Sequence, residues 1–199
     1  MRLRAYDDSG QAFPIYITVV GGLLFLAFAY LAVGQAGANR NGAQTAADAA
    51  ALAAAQDTRD RLAAAWTQSV RAPEEWQDIF DGDVPGLGLS CGRADQLAAR
   101  NDARVLSCVP DGPLAFVVEV ETNKTVGDSI VPGTENYRAV ASAKAVIEPR
   151  CTFEPPADDA GEDELPVLGC QDGRNWELDP EDLGNLPGPE DLFDVHLAD

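Results

Sequence analysis

The sequence predicts an α+β fold: a long amino-terminal helix that leaves a membrane and packs on a small antiparallel sheet, followed by a largely disordered acidic tail. Three observations carry this. No charged residue occurs between Asp8 and Arg40. Alanine then dominates as far as Val70 with no proline. Beyond Pro73, short runs of alternating polarity are separated by strong turn signals.

The apolar run "AFPIYITVVGGLLFLAFAYLAV" covers residues 12–33. As a helix it is about 33 Å long, enough to cross a hydrocarbon core of about 30 Å. Phe13, Tyr16 and Tyr30 lie towards its ends, where aromatic rings favour the interface, and Gly21 and Gly22 are tolerated in membrane helices. Pro14 falls in the first turn, where its missing N–H costs little. A secretory signal peptide is the competing reading, with "AGA" at 36–38 as a cleavage site. The run is too long for a signal core of roughly 7–15 residues, and Asp7 and Asp8 spoil the positive front. A retained anchor is therefore expected. Residues 1–11, with Arg2 and Arg4, are placed in the cytoplasm and the remainder outside.

Residues 34–72 read as an extracytoplasmic continuation of the same helix, because alanine has the highest intrinsic helix propensity. From residue 12 to about 71 it would reach about 90 Å. Gly34, Ala38, Gly42, Ala46, Ala50 and Ala54 recur every four residues. They form a shallow stripe along which another helix can pack closely, although in so alanine-rich a segment part of the regularity is compositional. Leu62, Trp66 and Val70 make a bulkier stripe, expected to pack on a folded domain.

Residues 73–150 carry the pattern of a small α+β domain. "PEEWQDIF" suggests a short helix and residues 93–101 another. "RVLSCV" and "LAFVVEVET" read as strands joined at "PDGP", and 137–148 as a third strand with Ala139, Ala141, Ala143 and Ala145 on one side. Residues 151–199 hold fifteen acidic residues against Arg174 alone, with many prolines. Such a segment buries too little to offset the entropy of ordering, so a solvated tail is expected, with "EDLFDVHL" as a short docking helix at most.

The four cysteines, 91, 108, 151 and 170, have no C-x-x-C spacing. Outside the cytoplasm they suggest two disulfides. Of the three pairings, Cys91–Cys108 with Cys151–Cys170 is preferred because each closes a short local loop; four free or buried thiols is the alternative.

Little in the chain suggests catalysis. The single histidine, His196, offers no partner set for a catalytic triad or a zinc site, and no phosphate-binding glycine motif is present. "DGDVPG" has calcium-like acidic spacing without the rest of an EF-hand loop. "NKT" at 123–125 fits a glycosylation sequon. A formal net charge of −19 repels phosphate backbones, which argues against a nucleic-acid partner. No enzyme activity, cofactor, metal or small-molecule substrate is expected.

"GQAFPIYITVV" followed by "AGANRNGAQTAADAAALAAAQ" resembles the amino-terminal region of the TadE/TadG-like pilus-assembly proteins, pseudopilin-type components of bacterial tight-adherence (Flp, type IVb) pili. Gln44, Ala46, Ala47, Asp48, Ala49, Ala50, Ala51, Leu52 and Ala53 match the family's "AQ-x-AADAAALA" block. The resemblance implies a non-enzymatic minor pilin or assembly factor in the cell membrane or a surface pilus. Its partners would be the membrane and other pilus or pseudopilin subunits, met through the helix. It also marks Gly10 and Gln11 as a possible processing site. Processed pilins usually carry a glutamate five residues after the cleavage glycine, where this chain has Ile15, although Tyr16 suits the sixth position. The anchored TadG-like subset is therefore the nearer model. A membrane-anchored binding or sensing module with a pilin-type anchor is the alternative function, and a secreted enzyme cut near Ala38 comes third.

Overall fold

A computed structural model describes residues 12–125, 136–155, 165–179, 181 and 183–198. The candidate processing residues Gly10 and Gln11 lie outside them, as does much of the most acidic stretch, 156–164. Helix α1, Ala12–Gln68, is unbroken over 57 residues, about 85 Å at 1.5 Å per residue. It stops where Ser69 N–H bonds the carbonyls of Ala65 and Trp66, and a 3₁₀ turn begins at Pro73. Trp76, at the start of α2 (Trp76–Phe80), donates its indole N–H to Ser69 O at 2.9 Å and stacks obliquely on Trp66 at 5.3 Å, folding the chain back along α1.

The return path is tightly turned. Gly82 has φ +80, and a side chain there would bring its Cβ within 2.8 Å of Leu114. Helix α3, Cys91–Arg100, lies against α1, with the buried Ser90 and Thr58 hydroxyls 2.7 Å apart. Strands β1 (Ala103–Pro110), β2 (Ala115–Thr122) and β3 (Val140–Pro149) come next, each antiparallel to its neighbour. The β1–β2 register shifts between Val105 and Ser107, a bulge that turns Leu106 outward. Phe116, Val118 and Val120 are buried while Val117, Glu119 and Glu121 are half-exposed, as their alternation predicts.

The carboxy-terminal region corrects the expectation of a largely disordered tail. Cys151–Thr152 (β4), Leu168–Cys170 (β5) and Asn175–Trp176 (β6) form a second, three-stranded sheet. Helix α4, Pro189–Leu192, then leads into β7, Phe193–Leu197, which pairs antiparallel with β3 and completes a four-stranded sheet in the order β1-β2-β3-β7. The "EDLFDVHL" segment is thus mostly strand. Its physical basis is a handful of apolar residues, all well placed: Leu168, Leu192 and Phe193 are fully buried. Phe193 lies 5.4 Å from Phe80, and Phe153 lies 5.2 Å from Trp76. One ring cluster therefore joins the end of α1, α2 and the acidic region.

The core lies between α1 and the inner sheet face, closed on the other side by α3. Ala141, Ala143 and Ala145 of β3 face the alanines of α1 in that core. Small side chains on both surfaces allow helix and sheet to approach closely. The disulfides Cys91–Cys108 and Cys151–Cys170 tie α3 to β1 and β4 to β5.

Candidate helix interface

Helix α1 has two regimes. From Phe13 to Gly42 the helix is largely exposed and no residue is fully buried; Phe25 is 69% exposed and Leu23 62%. This stretch of thirty residues extends about 45 Å, with a mean hydropathy of 2.2 over its apolar window, long and apolar enough to cross a membrane. The hydroxyl of Thr18 is satisfied within the helix by the Pro14 carbonyl at 2.8 Å. From Ala43 outward the helix sinks into the domain.

The four-residue ladder divides at that boundary. Gly34, Ala38 and Gly42 are exposed, with open space beside both glycines. Ala46, Ala50 and Ala54 are completely buried, and the same row continues through Thr58, Leu62, Trp66 and Val70. What looks in sequence like two stripes is one seam, its side chains growing from alanine to tryptophan. The neighbours of its inner half are the chain's own sheet and α3, so that half is already occupied. The folded domain therefore reaches back far beyond Leu62, where the bulky residues place its edge. Asp48 is half-buried at the helix surface and accepts a hydrogen bond from Gln44 Nε2 at 2.7 Å.

Residues 10–57 match the family model Tad, putative Flp pilus-assembly TadE/G-like. Over that segment the chain is similar to the TadE/G-like family. No curated protein and no solved structure is significantly similar to the chain. The TadE/G-like segment spans the whole exposed part of α1 and its first buried turns, and ends before Leu62. Its alanine block therefore has a role in this chain's own fold: eight alanines between Ala43 and Ala55 are buried there.

Chemistry elsewhere is sparse. Among the described residues no three His, Cys, Asp or Glu side chains are grouped to hold a metal. His196, on β7, lies 3.1 Å from Asp194 and 3.9 Å from Glu148, half-exposed. Asp172 accepts from both the backbone N–H and the guanidinium of Arg174, and these bonds hold its carboxyl below the usual aspartate range. Arg174 also reaches Asp191 at 2.6 Å. One feature gives no signal in the sequence. Arg40 and Arg138, almost a hundred positions apart, line a common cleft of about 370 Å³ beside the first uncovered turns of α1. Only the packing of β3 along α1, with its start beside Arg40 and its end towards Trp66, brings them together.

Proposed function

We propose that the chain is a membrane-rooted minor pilin or assembly component of a tight-adherence pilus, with its folded head outside the cytoplasm. It acts by packing and protein contacts rather than catalysis. The observation that carries this is the exposed stretch of α1 from Phe13, similar to the TadE/G-like family, which the chain's own fold leaves bare through the whole apolar run to Val33 and which is continuous with a folded head. A soluble protein has no use for so large an apolar projection. Lipid covers the first twenty or so residues in this reading. Gly34, Ala38 and Gly42, just beyond, present a shallow surface where a neighbouring subunit's helix can approach closely.

Ala46 and Ala50 cannot test the reading, because bulk there would strain the head itself. The informative variant is Gly34→Leu, Ala38→Leu and Gly42→Leu combined. It should keep the head folded and the protein in the membrane while reducing pilus number on the cell and the photo-crosslinks from residues 34–42 to other pilus subunits. Normal piliation with unchanged crosslinks would refute the proposal. Amino-terminal sequencing of the native protein should find residues 1–11 still attached, as Ile15 implies.

A further inference from the structure

We infer that the cleft between α1 and the start of β3 binds the headgroup of an anionic phospholipid, seating the folded head on the membrane surface. This rests on the reading that residues 13–33 lie in lipid. The height is right. Along the axis Ala36 lies about 4.5 Å and Arg40 about 10 Å beyond Val33, the last residue of the apolar run. A headgroup layer is roughly 5–7 Å deep on each side of the hydrocarbon, and an arginine side chain can reach back several Å towards it.

The lining is right as well. Ala36, Asn39 and Arg40 contribute from α1, and Tyr137, Arg138 and Val140 from the approach to β3. Among the described residues no carboxylate lines it. Among the described residues Arg40 makes no ion pair, and Arg138 stands 3.8 Å from Glu121, a carboxylate already held by Arg104 at 2.5 Å. The side-chain amide nitrogen of Asn39 is buried without an acceptor among the described residues. A phosphodiester supplies what is missing: acceptor oxygens for two guanidinium forks and one amide. Tyr137, 70% exposed at the rim, suits the interfacial layer.

Net charge does not oppose this. Near the cleft the described acids Asp102 and Glu121 are paired, with Lys124 and with Arg104. The small sheet and α4, which carry Asp172, Glu190 and Asp191, gather at the opposite end of β3. Ten strand residues separate the two ends, about 33 Å against a Debye length of about 8 Å.

The test uses the full chain in nanodiscs of equal phosphatidylglycerol and phosphatidylcholine, with lipids retained after detergent extraction counted by native mass spectrometry. The wild type should retain phosphatidylglycerol preferentially. Arg40→Ala with Arg138→Ala should reduce that preference at least about tenfold, while Arg93→Ala, in the groove between α1 and α3, should not. Equal retention of both lipids by the wild type, or an unchanged double variant that still shows the wild-type unfolding curve, overturns the inference. So does protection of Arg40 and Arg138 from phenylglyoxal by inorganic phosphate alone to the same degree as by the lipid. Carbonate extraction separates the two readings. A chain washed from vesicles sinks the membrane assignment itself, whereas one that stays inserted without lipid preference sinks only the headgroup site.

Discussion

Ala50 and Ala38 are chemically identical residues on one helical row, and their surroundings make opposite demands. Ala50 is completely buried between sheet and α3; Ala38 faces open space. Ala50→Leu should therefore cost about 1–3 kcal/mol through overpacking, and Ala38→Leu close to nothing. Urea unfolding of the full chain in detergent, monitored by the fluorescence of the buried Trp66 and Trp76, measures both; equal effects would contradict the packing described. Asp172 makes a second prediction at this scale. Its folded pKa is depressed, so its pairing with Arg174 contributes stability above the unfolded value of about 3.9 and loses it as pH falls through the folded pKa. Arg174→Ala should move the Asp172 carboxyl titration upward in ¹³C NMR. A titration that does not move would assign the shift to the backbone N–H of residue 174, which the variant keeps, rather than to the guanidinium.

At the scale of elements, β7 is the piece on which the fold most depends for closure. It covers the edge of β3 and brings Phe193 onto Phe80. Phe193→Ala should cost about 3–5 kcal/mol, a large share of the stability of a domain this size, and the same urea curves report it. An effect near zero would mean that β7 is not part of the cooperative unit. This strand was also the element least legible in sequence. Its neighbourhood is so rich in Asp, Glu and Pro that averaged composition reads as unfolded, although Phe193, Val195 and Leu197 alternate as a half-buried strand should. Alternation over five residues is a weak signal beside fifteen carboxylates. By contrast α1, β1, β2, β3 and the pairing of the cysteines were legible, since each is written in local periodicity or spacing. The ladder on α1 was half legible. Its period was visible, but whether a small residue meets another subunit or its own sheet is a matter of tertiary placement. The Arg40–Arg138 cleft was invisible for the same reason.

For the molecule as a whole, the consequential fact is that projection and head share one helix. No linker intervenes between Val33 and Ala43, so the head's azimuth about the helix axis is fixed by the residues below it. Each residue added to a helix turns the outer part of the chain by 100° and lifts it by 1.5 Å. Two alanines inserted between Gly37 and Ala38 would rotate the head by about 200° relative to the buried span, whereas four would rotate it by about 400°, a net 40°, and raise it by about 6 Å. Both insertions lie outside the packed core and should leave the unfolding midpoint of the head unchanged. If the head meets its neighbours in a pilus through a fixed face, the two-residue insertion should abolish assembly. The four-residue insertion, although longer, should retain a substantial part of it. Pilus counts by electron microscopy, with immunoblots showing equal protein in the membrane, distinguish the two. Assembly that declines steadily with insert length would mean that height, not facing, is what the rod controls, and equal assembly by both would mean that the head is not held in register at all.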